Sequence, residues 1–167
     1  MSDTVDDMEA LVEPLLLLAR TEQQPIQEED LVVNDVAVNL LYRLQPLAER
    51  KQIRLQVKQT ALLTLTASET VLNIVFTNLV RNAINYSGSG QVTIVVAEDA
   101  VHVVDTGAGM DSEELARFLQ PFERGNSKEG GHGLGLAIVQ RLCERFDWHL
   151  DVASRPGKGT EVRVRFR

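Results

Sequence analysis

The sequence holds a single cysteine, three histidines and no apolar run long enough to cross a bilayer. One cysteine, Cys143, excludes an intrachain disulfide, and a reducing compartment fits. Cys143 falls on the apolar stripe of a predicted helix, which makes it a core residue and not a reactive one. The longest apolar candidate, "LLLLA" at 15–19, is far short of the ~20 residues a span requires, and the N-terminus lacks the pattern of a signal peptide. Positive charge is also scarce. Seventeen Lys and Arg stand against twenty-four Asp and Glu, a net charge of −7, which argues against a dedicated nucleic-acid binder. What is present is ordinary for a soluble domain: 44% hydrophobic and 25% charged residues in 167, enough for one domain with a real core and a short appendage.

Residues 3–20 predict a helix, with Met8, Leu11, Leu15, Leu18 and Ala19 at helical spacing and Pro14 as a kink or a start. The polar stretch "TEQQPIQEED", 21–30, reads as a linker. A short strand is expected at 31–33. Asn34 then caps a helix to about Lys51, bent or divided at Pro46. "IRLQVK" (53–58) and "LLTLTA" (62–67) alternate as strands and are expected to pair with each other. Ser68 caps a helix over 69–86, with a broad apolar stripe from Val71 to Ala83. Two strands follow around a Glu98–Asp99 hairpin, then a short helix at 111–118. A Gly-rich charged loop at 121–133, a helix at 134–146 and two strands around "RPGKG" complete the chain. This mixture predicts an α+β fold with helices layered on one face of a sheet.

Three stretches carry candidate chemistry. Asn78, Asn82 and Asn85 share one face of the 69–86 helix. Asparagine is a poor helix former, and a carboxamide oxygen can ligate Mg²⁺ or hold its waters; a solvated polar edge is the other reading. In "VHVVDTGAGM" a strand ends in Asp105, followed by Gly107 and Gly109. The carboxylate could accept a hydrogen bond from an exocyclic amine while glycines let backbone approach a flat ring; an Asx turn explains it equally. In "GGHGLGLAIV" glycines run into a helix N-terminus. No GK[ST] follows, so it is not a Walker loop, and its spacing and flanks do not match a dinucleotide fingerprint. Free N–H groups at that terminus suit an anion, with Arg124 and Lys128 adding charge; close helix packing is the alternative.

Taken together and in order, "NLVRNAINYS", "DTGAGM", "PFER", "GHGLGLAIV" and "RPGKGT" resemble the N, G1, F, G2 and late glycine boxes of the sensor histidine kinase ATP-binding domain. The resemblance covers residues 31–167. It implies the Bergerat, or GHKL, fold, a two-layer α/β sandwich with helices on a mixed sheet. It implies ATP and Mg²⁺ as ligands. Asp105 would receive the adenine amine, with Gly107, Gly109 and Met110 beside the ring and Tyr86 lining the pocket. Asn82 would ligate Mg²⁺, with Asn78 close to metal and phosphates and Asn85 nearby. Phe122 would pack a lid carrying Arg124 and Lys128. Gly131, Gly133 and Gly135 would free backbone amides for the phosphates, with His132, Leu134 and Leu136 in the same box and Thr160 in the late glycine box.

Two positions depart from the family pattern, and one of them, Ser68 in a place often held by Asp, affects capping more than chemistry. Asn85 stands where many members carry Lys, so one phosphate-directed cation is missing or is supplied by Arg81, Arg124 or Lys128. Related ATPases place a general-base Glu one helical turn before the metal-binding Asn, and here that position is Asn78, a neutral amide that cannot act as a base. Phosphoryl transfer needs chiefly positioning and charge neutralisation. In the family the acceptor is a histidine on a dimerisation hairpin. His102, His132 and His149 lack its helical His-Glu/Asp context, and residues 3–20 resemble the end of the hairpin's second helix. The acceptor is therefore expected upstream of Met1. By the resemblance, the whole protein would be a homodimer on the cytoplasmic face of the bacterial inner membrane, relaying phosphate to a response regulator receiver domain. Membrane attachment would come only through missing N-terminal segments. A nucleotide-responsive binding module without transferase activity is the alternative.

Overall fold

The computed structural model describes residues 27–88, 90–119 and 133–167. The expected helix at 3–20 and most of the Gly-rich loop lie outside them. The chain runs through β1 (Glu29–Val32), α1 (Val33–Arg50), β2 (Ile53–Gln59), β3 (Thr64–Ala67), α2 (Glu69–Ser87), β4 (Gly90–Val96) and β5 (Ala100–Asp105). It continues with α3 (Ser112–Leu119), α4 (Gly133–Arg145), β6 (His149–Arg155) and β7 (Gly159–Arg165). Five strands form one mixed sheet in the order β2-β4-β5-β7-β6, parallel only between β2 and β4.

Alternation decides which face the helices cover. Val92, Ile94 and Val96 of β4, Val101 and Val103 of β5, and Val162 and Val164 of β7 all point into one core. α2 crosses that core and touches β4, β5, α1 and α4. Phe76, Leu72, Val75 and Ile84 on it are each 1% exposed or less. The opposite face carries polar pairs instead. Gln56 donates to Thr93 at 3.0 Å, His102 meets Glu161 at 3.0 Å, and Arg163 donates to Asp151 at 2.8 Å. Cys143 is buried at 1% exposure, and that burial, with the Glu144 charge beside it, pushes its thiol up to about 12, so it is inert.

Several expectations are corrected. β2 and β3 do not pair: β2 joins β4 in parallel, while β3 pairs antiparallel with β1 in a separate two-stranded sheet. Period-2 alternation identifies a strand but not its partner. β1 begins at Glu29, inside the stretch read as linker, and ends at Val32 because Val33 already opens α1. Asn34 is not a cap. It lies within the helix, 6% exposed, donates to Gln59 Oε1 and the Ala61 carbonyl, and accepts from Leu63 N at 2.9 Å, so it clamps the β2–β3 connection. Pro46 does not divide α1, which runs unbroken for 18 residues. The ring deprives the Tyr42 carbonyl of its helical donor, and both residues are exposed, so water can replace it. Ser68 does cap α2, accepting from Val71 N at 3.2 Å.

Candidate functional site

Three pieces of chain meet at one end of the sheet, and a helix start is the fourth candidate. The first is the end of β5. Asp105 is the last residue of a strand whose alternation turns it to the helix side, and it is 6% exposed. Gly107 N donates to its Oδ1 at 2.8 Å, so the Asx turn does form. It does not exhaust the carboxylate, whose two oxygens offer about four acceptor sites. Burial pushes the Asp105 carboxyl above the usual carboxylate range, while the Gly107 and Thr160 backbone N–H groups pull it partly back.

The second piece is the β6–β7 turn, which closes over the loop leaving Asp105. Gly157 N donates to the Ala108 carbonyl at 2.6 Å. A Cβ on Gly109 would overlap the Arg155 carbonyl oxygen, and one on Gly159 would overlap the Asp105 carbonyl oxygen. Both also have positive φ, +71° and +84°. The glycines of the G1 and late glycine boxes are therefore required by each other's backbone. Ser154 joins the same contact, accepting from Met110 N at 2.8 Å and bonding Thr160 Oγ1 at 2.7 Å.

The third piece is α2. Asn78 is 8% exposed and its Nδ2 donates to the Ile74 carbonyl at 2.7 Å, which leaves its carbonyl oxygen and one N–H to offer a ligand. Asn82 and Asn85 are half-buried further along the helix. Tyr86 is half-buried too, its ring edge-on to Phe118 of α3 at 5.7 Å. Ser87 closes the helix. Its Oγ is the only buried side-chain polar atom without a partner among the described residues, and its Cα lies 2.9 Å from where a Cβ on Gly107 would sit.

The fourth piece is the start of α4. Gly133 and Gly135 lie in its first turn, which holds no acidic residue, whereas α1, α2 and α3 each carry at least one there. Among the described residues, no acidic side chain in that turn faces its orphan N–H groups and positive dipole end. Leu136 belongs to the core at 1% exposure, which leaves only its backbone to a ligand. Phe122, Arg124, Lys128, Gly131 and His132 lie outside the described residues, and so does the side chain of Leu134.

The sequence profile of the histidine kinase-, DNA gyrase B- and HSP90-like ATPases matches residues 67–167, from the start of α2 through β7. The chain belongs to this ATPase family. Phosphate regulon sensor protein PhoR of Pseudomonas aeruginosa is 32% identical over 177 residues, covering 99% of this chain and 40% of that protein. Sensor histidine kinase ZraS of Klebsiella oxytoca is 34% identical over 166 residues, covering 95% of this chain and 35% of that protein. Among solved structures, full-length ShkA in complex with AMPPNP has a TM-score of 0.77 at 27% identity, covering 95% of this chain and 35% of that one. The cytoplasmic segment of histidine kinase QseC shares the fold, with a TM-score of 0.70 at 21% identity, covering 96% of this chain and 89% of that one. The family is one of ATP-binding domains, the relatives named are sensor histidine kinases, and the α+β architecture agrees. The chain spans about two-fifths or less of the length of the curated relatives it matches.

Ser154 and Ser87 were not legible beforehand. Ser154 finds its partners 5, 6 and 44 residues away, and the serine before a turn carries no pattern of its own. Among the described residues no cluster of three or more His, Cys, Asp or Glu could hold a metal ion, and no helix is long and apolar enough to cross a membrane.

Proposed function

We propose that this chain binds Mg-ATP and transfers the γ-phosphoryl group to a histidine on a dimerisation hairpin. The observation that carries the ATP site is the buried Asp105 carboxylate at the strand end. It is held by two backbone N–H groups and retains acceptor sites that match an exocyclic amine. Adenine would stack beside Gly107, Gly109 and Met110, with Thr160 at the same edge and Tyr86 on the α2 side. The triphosphate would run towards the N-terminus of α4, where Gly133 and Gly135 have no side chain to cover the backbone. Phe122, Arg124, Lys128, Gly131 and His132 complete that end in this reading.

The donor chemistry fits magnesium, a hard cation that takes oxygen ligands and keeps several waters. Asn82 would ligate it and Asn78 would stand close by through its carbonyl oxygen. The bound ion would neutralise charge on the phosphates. Asn78, committed to its own helix through Nδ2, cannot take a proton from an attacking water. The residues therefore favour positioning over hydrolysis, the requirement of phosphoryl transfer.

The acceptor lies elsewhere in this reading. His102 projects from the sheet face opposite Asp105 and bonds Glu161, and His149 is exposed at the far end of β6. The chain would thus not autophosphorylate alone. Its partners would be the homodimeric acceptor helices and a response regulator aspartate, on the cytoplasmic side of a bacterial inner membrane. The test supplies a separate acceptor hairpin with Mg-ATP. Acid-labile, base-stable phosphate should appear on its histidine. Measured ATP binding without any transfer would replace the kinase with a nucleotide-responsive module.

A further inference from the structure

We propose that Ser154 sets the base specificity of the site by fixing which way the Thr160 hydroxyl points. The inference rests on the nucleotide reading above and extends it to a residue that reading does not use.

A serine hydroxyl has one proton and two lone pairs. All three are committed at Ser154. It donates to the Gly159 carbonyl at 3.1 Å and accepts from Met110 N at 2.8 Å. The third contact, to Thr160 Oγ1 at 2.7 Å, has no Ser154 proton left to supply it. Either hydroxyl of that pair could donate; with the Ser154 proton on the Gly159 carbonyl, which can only accept, the donor is Thr160, and its oxygen is left to face any ligand as an acceptor. Thr160 lies directly across the β5–β7 ladder from Asp105, and its backbone N–H is also directed at the Asp105 carboxylate. Two acceptors then stand at one edge of the site, the carboxylate and the threonine oxygen. An exocyclic amine satisfies both. A base that presents a carbonyl there, as guanine does, meets acceptor against acceptor and leaves buried groups unpaired.

Ser154 has no capacity left for a ligand of its own, so it is a positioning residue. Its hydroxyl also ties Met110, at the end of the loop leaving Asp105, to the β6–β7 turn. Both sides of the base edge thus depend on one half-buried side chain.

The experiment measures the affinities of Mg-ATP and Mg-GTP by calorimetry for the whole chain as the wild type, Ser154→Ala, Thr160→Val and the double variant. Without Ser154 the Thr160 proton is free to turn towards the ligand. ATP should weaken, GTP should hold or tighten, and the ATP-to-GTP preference should fall about tenfold. With Thr160→Val in place, adding Ser154→Ala should change the preference no further. An unchanged preference in Ser154→Ala overturns the inference. So does an equal loss for both nucleotides, which a merely loosened fold would give, or full additivity in the double variant. A wild type that does not prefer ATP removes the nucleotide reading itself, and this inference with it.

Discussion

Helices α2 and α3 both border the candidate site, and they are held in place by unlike means. α2 buries eleven of its nineteen residues, and Ser87 at its end is among them. α3 buries none of its eight. Its order comes from its own N-terminus, where Asp111 Oδ1 accepts from Glu114 N at 2.8 Å and Glu114 Oε1 accepts from Asp111 N at 3.3 Å. That reciprocal pair is a capping box with aspartate as the cap. Beyond it, the half-buried Phe118 and Leu119 pack against the core, Phe118 meets Tyr86, and the helix touches α4. One wall is thus fixed by full burial and the other by a local cap and two half-buried side chains. Elements with few buried apolar contacts open at lower free energy than the core.

The largest effect expected is on that contrast itself. Phe76 in α2 is 1% exposed and packs edge-on against Phe166. Phe76→Ala should destabilise the domain by about 3–5 kcal/mol in urea unfolding, through lost burial and a cavity. Phe118→Ala should cost about 1 kcal/mol, since its ring is only half-buried. Equal losses would break the comparison.

The next effect sharpens it by asking where nucleotide affinity resides. Asp105→Asn should weaken ATP binding by about 10–100-fold, the scale of a hydrogen bond to a charged group, whereas Phe118→Ala should change it far less. Without nucleotide, the Asp105→Asn variant should be as stable as the parent or more so near neutral pH. Burial raises the Asp105 carboxyl, so the folded domain holds that proton to higher pH than the unfolded chain does. Stability from this group is therefore lost as pH rises from the ordinary carboxylate value through the raised one. ATP affinity should follow the opposite slope, weakening as pH falls through the raised value. Both slopes should vanish in Asp105→Asn. Calorimetry and thermal unfolding across that range check the pair, and an ATP affinity that is flat in both proteins would remove Asp105 from the base contact.

The same contrast explains what could be read from sequence. α3 was legible as a short helix because a capping box is local, spanning Asp111 to Glu114. The stripe of α2 and the Ser68 cap were legible for the same reason, and so was the Asp105–Gly107 turn. Each depends on residues within a few positions. The failures involve long separations. Nothing near Asn34 announces that it will bond residues 25 to 29 positions away, and nothing in β2 announces β4 as its partner. The late glycines are intermediate. Their motif was recognisable in the sequence, but the reason Gly109 and Gly159 must lack a Cβ, each facing a carbonyl from the other box, is visible only in three dimensions.

The smallest effect isolates α3. Asp111→Ala removes the acceptor for Glu114 N and, with it, half of the reciprocal cap. The cost should be about 1 kcal/mol, the usual worth of such a cap. It should fall mostly on α3, because only the half-buried Phe118 and Leu119 couple that helix to the core. Hydrogen exchange should therefore speed up severalfold at the α3 amides while those of α2 keep their protection. Asp111→Asn, which keeps an acceptor oxygen at the cap, should restore most of the loss. If α2 amides lost protection in step with α3, the two helices would open as one unit. The site would then have one kind of wall, not two.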